Sequence, residues 1–391
     1  MLEERFFRRP IISFAFAAAT SLSAAAQTPP DRFVAPLPVE SAIRITKDVD
    51  YGSSDGRTLR FDLYRPAPAP TPTPAPLVVF FNGLGNEQMR AHVQYQGWGR
   101  YVTTRGFAGV TMDSADGTAA ADFDTLTAYL RSHAQELDID ADRIVVWACS
   151  SNVTNGLRLA TDPARAQIQG AVMYYGQSDV TRFRLEVPIL MVRAGVDSAS
   201  LIRGLDAVVR SGTAANAPIS LINHPSGRHG FDVRDDNDMS RAVMSQTLDF
   251  VASAFDPRIQ AARRAGVKLA AASAASVRED WTAATAAYLA LTKSHPSDPE
   301  YAQRLAEAHV GRGDYASAVP AFEKALELGT PNRGLVTFAL VRAHTKLDQI
   351  DKAVEAVQRL EPCMRFFKAR LVADAEFAAL RNDPRFQQLV R

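Results

Sequence analysis

A serine hydroxyl attacks a carbonyl only when a base takes its proton, and an imidazole serves as that base only when an acid fixes its tautomer. Ser150 stands where such chemistry could start. Arg143-Ile144-Val145-Val146-Trp147-Ala148-Cys149 is a short, β-branched apolar run that reads as a buried strand. Ser150-Ser151-Asn152 ends it abruptly, and Val153-Thr154-Asn155-Gly156-Leu157 continues with helical potential. A base is offered by His229, in the flexible turn Ser226-Gly227-Arg228-His229-Gly230-Phe231-Asp232, where an imidazole can swing over a neighbouring strand end. His224, at the end of the preceding strand, is placed to order that loop. For the acid, Pro188-Ile189-Leu190-Met191-Val192-Arg193-Ala194-Gly195-Val196-Asp197 is a strand that delivers Asp197 just past its C-terminal end, where catalytic groups gather on a parallel sheet. Asp179, after the preceding strand, is placed similarly, and Asp113 ends another. His229, Asp232 and Asp235 do not have a compact metal-ligand spacing, so Asp232 reads as a helix cap and no metal is expected there.

The surrounding chain supplies elements to hold these groups. Ile43 to Tyr51 and Arg57 to Tyr64 read as a hairpin at a sheet edge, with turn chemistry at Gly52-Ser53-Ser54-Asp55-Gly56. Pro66 to Pro76 is a proline-alanine-threonine connector. Strands follow at Leu77–Phe81, Phe107–Met112, Ala171–Tyr175, Val187–Val192 and Ile219–Ile222. Between and after them come helices over His92–Thr104, along the face Phe123, Leu126, Leu130 and Leu137, and over Met239–Phe255. Such alternation predicts an α/β fold with a mostly parallel sheet flanked by helices.

Beyond Pro257 the strand signals stop and alanine dominates. Ala284, Tyr288 and Leu291 recur as Ala318, Phe322 and Ala325, each step 34 residues. Leu305, Ala308, His309 and Ala318 recur as Leu340, Ala343, His344 and Ala353, each step 35. Small residues let paired helices cross closely, and a bulky one fills the gap between them. This period is similar to that of the tetratricopeptide repeat, so an all-α repeat domain is expected over 258–391, capped by the segment with Pro362, Phe366, Phe367 and Phe377.

The residues of the first unit, about 40 to 255, resemble the α/β-hydrolase superfamily, and within it the dienelactone-hydrolase-like and esterase or prolyl-oligopeptidase-like groups. The resemblance rests on Asn82-Gly83, Ala148-Cys149-Ser150-Ser151-Asn152, Ala194-Gly195-Val196-Asp197 and His229-Gly230-Phe231-Asp232. In that superfamily the order along the chain is serine, acid, histidine, and the serine sits on a strand-to-helix elbow written Gly-x-Ser-x-Gly. Of seven histidines only His224 and His229 follow Ser150 within this unit, which favours His229; the same order favours Asp197 over Asp113. The resemblance thus implies a Ser150–Asp197–His229 triad that cleaves esters or related acyl bonds without a cofactor. The oxyanion donors would be the backbone N–H of Ser151 and the loop after the first parallel strand, at Gly83 and Leu84, each worth about 3 kcal/mol of barrier. Dienelactone hydrolases use a cysteine, but Cys149 is one position early in the elbow frame and reads as a buried core residue. Here Ala148 and Asn152 stand in place of both elbow glycines.

A net charge of +1 gives no basic excess for neutralising phosphates, so nucleic acid is not an expected partner. Arg5, Arg8 and Arg9, the apolar run Ile11–Leu22 and Ala24-Ala25-Ala26 read as an export signal over 1–26, followed by a hydrolase domain over 40–256. The expected location is periplasmic or secreted, with no stable membrane span after cleavage. The connection Gln177–Glu186 leaves no room for a lid, which favours a small acyl-ester substrate. The repeats imply a protein partner. The competing reading is an inactive hydrolase-fold scaffold whose repeats are the working surface.

Overall fold

The computed structural model describes residues 31–391 apart from 55, 68–72, 83–86 and 115–116. The expected export signal and the middle of the proline connector lie outside the described residues.

Eight strands, β1 (Ile43–Ser54), β2 (Arg57–Pro66), β3 (Ala75–Phe80), β4 (Ala108–Met112), β5 (Ile139–Cys149), β6 (Ile168–Tyr174), β7 (Ile189–Ala194) and β8 (Ile219–His224), form one sheet in the order β1-β2-β4-β3-β5-β6-β7-β8. β1 and β2 pair antiparallel, as does β2 with β4, and every remaining pair is parallel. Helices α1 (Glu87–Arg90), α2 (Val93–Val102), α3 (Ala119–Ser132), α4 (Ala134–Leu137), α5 (Val153–Thr161), α6 (Ala199–Ala214), α7 (Phe231–Arg234) and α8 (Asp238–Phe255) complete this α/β unit.

The two-residue alternation of β5 divides the core. Ile144, Val146 and Ala148 join one apolar cluster with Phe123, Leu126 and Leu130 of α3, Leu157 of α5 and Leu205 of α6. Val145, Trp147 and Cys149 join the other, with Tyr95 and Trp98 of α2 and Val243, Leu248 and Val251 of α8. Strands buried on both faces read as continuous apolar runs, which is why the central ones were legible. Each buried large side chain contributes roughly 1.5–3 kcal/mol.

Three local features depart from the sequence reading. The helix expected to run through Leu137 is broken at His133, whose backbone leaves helical geometry (φ −111°, ψ 13°) while its ring stacks on Tyr129. α6 has no counterpart among the expected helices; it buries Leu205, Val208 and Gly212. The fold also begins earlier than the expected boundary at residue 40: Phe33, Val34 and Ala35 are buried in the second cluster.

From Pro257 onward the chain is helical: α9 (Pro257–Val277), α10 (Trp281–Ser294), α11 (Pro299–Gly311), α12 (Tyr315–Glu327), α13 (Arg333–Lys346), α14 (Ile350–Gln358), α15 (Met364–Ala373) and α16 (Pro384–Leu389). Ala284, Tyr288 and Leu291 pack with Ala272, Ala275, Leu305 and Ala308; one repeat later, Ala318, Phe322 and Ala325 pack with Leu340, Val341 and Ala353. Phe367, Phe377 and Phe386 close the end of the repeat cluster that holds Phe322. Asp280 and Asp314, one repeat apart, each cap a helix by accepting a backbone N–H three residues on. A single residue, Asp256, separates α8 from α9 and caps the latter through Arg258 N. Gln260 on α9 also donates to Gln169 (2.6 Å), which ties the repeats to the sheet.

Candidate active site

Ser150 follows β5, Asp197 lies three residues past β7, and His229 lies five past β8. All three sit beyond the C-terminal ends of strands in the parallel part of the sheet. The structure brings them together: His229 Nδ1 is 2.7 Å from Asp197 Oδ2, and His229 Nε2 is 2.9 Å from Ser150 Oγ. A carboxylate only accepts, so Nδ1 carries the ring proton and Nε2 is left to accept from the Ser150 hydroxyl. Asp197 is held at its other oxygen by Ser198 N–H (2.6 Å), and its side chain is only 7% exposed.

The elbow is a backbone fact as well as a side-chain one. Ser150 has φ +53°, in the left-handed region, at a cost of about 1–3 kcal/mol that the flanking strand and helix must offset. That conformation lifts Oγ off the strand end toward His229. Ser151 and Asn152 complete a 3₁₀ turn that leads into α5. Ser151 is exposed there. Gly83 and Leu84, the other expected oxyanion donors, lie outside the described residues. Their neighbour Asn82 is buried, and its carbonyl accepts from the Ser114 hydroxyl.

The missing elbow glycines have a physical explanation. Asn152 has φ −78° and ψ −12°, an ordinary right-handed geometry that needs no glycine. Its side chain turns inward to the Tyr95 hydroxyl. Ala148 is fully buried, and the space for its methyl is made one helical turn into α5: a Cβ added to Gly156 would lie 2.7 Å from the Ala148 Cβ. The small residue has moved from the strand to the helix that crosses it.

The acid and base loops are fastened to each other. Gly195 N donates to His224 O (2.8 Å), and Val196 N donates to Gly227 O (3.0 Å). A side chain at 195 would strike the Pro225 carbonyl at 2.3 Å, so only glycine allows the loops this close.

The rival candidates are elsewhere. Asp179 pairs with Arg158 at the exposed surface (3.0 Å). Asp113 is buried against Arg90 (3.0 Å). His224 is fully buried, its Nε2 paired with Ser240 Oγ (3.0 Å), and burial lowers its pKa. Cys149 faces Tyr95 and Gln94 inside the core, and burial pushes its thiol up to about 12. Its thiolate is therefore scarce at neutral pH.

Asp232 is not the helix cap the sequence suggested. It is fully buried, with no capping hydrogen bond to α7, and accepts from Trp98 Nε1 (2.7 Å), Gln94 Nε2 (2.8 Å) and the Tyr175 hydroxyl (2.7 Å). Burial raises its pKa while those donors pull it back. Sequence reasoning missed this network because its members lie on three elements far apart in the chain: α2, the end of β6 and α7. Asp235 instead binds Arg228 (2.6 Å). Among the described residues no group of three or more His, Cys, Asp or Glu side chains is arranged to hold a metal ion, and no helix is long and apolar enough to cross a membrane.

A family model described as tetratricopeptide repeat matches residues 269–333 and, overlapping, 304–363. No curated protein matches the chain. The chain is similar to several solved structures. MGS-M1, an α/β-hydrolase enzyme from a Medee basin deep-sea metagenome library, shares 15% identity over 55% of this chain and 99% of that one, with TM-score 0.43. A fungal esterase from Rhizomucor miehei shares 15% over 58% and 86%, with TM-score 0.45. Esterase 2 of the planctomycete Thermogutta terrifontis shares 16% over 56% and 96%, with TM-score 0.44.

The Ala148–Gly156 exchange makes a specific prediction. Gly156→Ala should cost about 1–3 kcal/mol by overpacking, and adding Ala148→Gly should recover most of it. Urea unfolding of the two single variants and the double variant would check this; purely additive losses would remove the explanation.

Proposed function

We propose that this α/β-hydrolase fold with tetratricopeptide repeats is a serine hydrolase that cleaves carboxylic esters through Ser150, His229 and Asp197. The relay from Asp197 through His229 to Ser150, with contacts of 2.7 and 2.9 Å, is the observation that carries the reading. The Ser150 Oγ proton passes to His229 Nε2 as the Oγ–carbonyl bond forms. The tetrahedral intermediate then collapses, and the leaving alkoxide takes that proton from Nε2. Water repeats the sequence on the acyl-serine: its proton goes to Nε2, its oxygen to the acyl carbon, and the proton returns to Ser150 as the acid departs. Asp197 stabilises the imidazolium that forms each time. Ser151 N–H and the backbone at Gly83 and Leu84 are our candidates for the oxyanion donors.

A small acyl ester is the substrate this reading favours. Residues 176–188, between β6 and β7, form neither helix nor strand and supply no lid. The resemblance at Ala148-Cys149-Ser150-Ser151-Asn152 and His229-Gly230-Phe231-Asp232 supports a dienelactone-hydrolase-like subtype, with serine in place of cysteine. The ordinary backbone at Asn152 supports an active elbow over an inactive scaffold.

Against p-nitrophenyl acetate and butyrate, Ser150→Ala should lower kcat roughly 10⁴-fold or more. Iodoacetamide at pH 8 should leave turnover intact, since burial pushes the Cys149 thiol up to about 12. Fluorophosphonate should label Ser150; turnover equal in wild type and Ser150→Ala would end the assignment.

Export is part of the proposal, supported by the basic, apolar and small-residue segments of 1–26. N-terminal sequencing of the protein from fractionated cells should begin at Gln27 in the periplasmic or secreted fraction; an intact Met1 terminus in the cytosol would refute it.

The repeats, on this reading, hold a protein partner near the hydrolase. A cleft of about 730 Å³, lined in part by Val319, Pro320, Lys324, Lys352 and Glu355, is the surface we assign to it. Charge reversal at Lys324 and Lys352 should abolish co-purification of that partner with the full-length chain, whereas unchanged co-purification would exclude the cleft.

A further inference from the structure

We infer that buried Asp232 and the N-terminal strap of Arg32, Phe33 and Val34 are positioning residues that lock the His229 loop; this rests on the hydrolase reading above. The argument begins with how His229 is held. Its ring touches Asp197 and Ser150, and Tyr175 lies against it with ring centroids 4.7 Å apart. The loop that carries it has little regular structure, so its position must come from anchors on either side.

Asp232, three residues on, is the inner anchor. The three donors that converge on its carboxylate come from different parts of the unit: Gln94 and Trp98 from α2, and Tyr175 from the end of β6. Tyr175 therefore serves twice. Its hydroxyl binds Asp232 while its ring supports His229, and burial keeps the phenol protonated as a donor. Gln94 and Tyr95 also face Cys149 Sγ, at 3.9 and 3.8 Å, and Tyr95 bonds Asn152. Cys149 and Asn152 flank Ser150. One buried polar cluster thus touches the elbow on one side and the base loop on the other, and so fixes the distance between nucleophile and base.

The strap is the outer anchor. Arg32 N donates to Val233 O (2.9 Å), and Val34 N donates to Asp232 O (3.0 Å), so the strap zips onto the backbone of the same segment. Asp31 pairs with Arg234 (3.2 Å), and Arg32 pairs with Asp236. Phe33 is the plug. It is 6% exposed and meets Trp98 and Tyr101 edge-on at 5.7 and 5.8 Å. Trp98 is the same residue whose indole N–H holds Asp232. Removing Phe33 therefore loosens the strap and the indole together. A general base displaced by about 1 Å costs rate without a matching cost in binding, because the ester's ground-state contacts do not involve the imidazole.

Full-length wild type, Phe33→Ala, Phe33→Leu, Val34→Pro and Asp232→Asn would be compared for steady-state kinetics on p-nitrophenyl acetate and for amide exchange of the peptide spanning 224–235. Phe33→Ala, Val34→Pro and Asp232→Asn should each speed exchange in that peptide by about tenfold while β5 stays protected. Their kcat should fall about tenfold or more with KM within about twofold, and Phe33→Leu should recover most of the rate. A folded Phe33→Ala or Val34→Pro variant with wild-type exchange, wild-type kcat, or a KM rise that accounts for the loss overturns the inference. Should Phe33→Ala not fold, Val34→Pro, which removes the N–H bonded to Asp232 O and keeps the Phe33 side chain, decides. A wild type that neither turns over ester nor takes the fluorophosphonate label would sink the hydrolase reading alone; exchange would still report whether the strap holds the loop.

Discussion

A neutral imidazole offers one donor and one acceptor, on two nitrogens that face different ways. For His229 to bind Asp197 and Ser150 at once, both partners must arrive along those two directions, to within a few tenths of an ångström. Much of the α/β unit is arranged around that demand. A parallel sheet brings the ends of β5, β7 and β8 to one edge. The left-handed backbone at Ser150 lifts the hydroxyl out of the strand line. Gly195 lets the acid loop touch the base loop closely enough for two backbone hydrogen bonds to join them. Each of these costs conformational freedom or local strain, and the two apolar layers that sandwich the sheet offset it.

What could be read from the sequence follows from what is local. Strands buried on both faces announce themselves as apolar runs, so β3 to β7 were recognisable, and the chain order singled out Ser150, Asp197 and His229, which the structure brings within hydrogen-bonding distance. The helical repeats were legible because Tyr288 and Phe322 fill equivalent gaps one repeat apart. What escaped has in common that its partners are distant in the chain. Phe33 finds its pocket on α2, and Asp232 finds donors on α2 and after β6. α6 is a different case: Leu201, Leu205, Val208 and Gly212 recur at helical spacing, so its periodicity was open to the same reading. The aspartates that cap α10 and α12 recur at the repeat period and were available to a reading that weighed caps along with core positions.

The join between the two units is short and stiff. Asp256 ends α8 and caps α9, and the Gln260–Gln169 contact adds a second tie. Pro257 at the first position of α9 suits this arrangement, since its fixed φ and missing N–H are harmless there.

The trade between Ala148 and Gly156 reaches beyond this chain. A rule that names a glycine at a fixed offset from the nucleophile records one way of leaving a methyl-sized void where a helix crosses a strand. The void belongs to the pair of crossing residues, and either partner can vacate it. Searches keyed to letters in one segment will pass over chains that satisfy the same steric requirement from the opposite wall, while a search on summed side-chain volume across the crossing would find them.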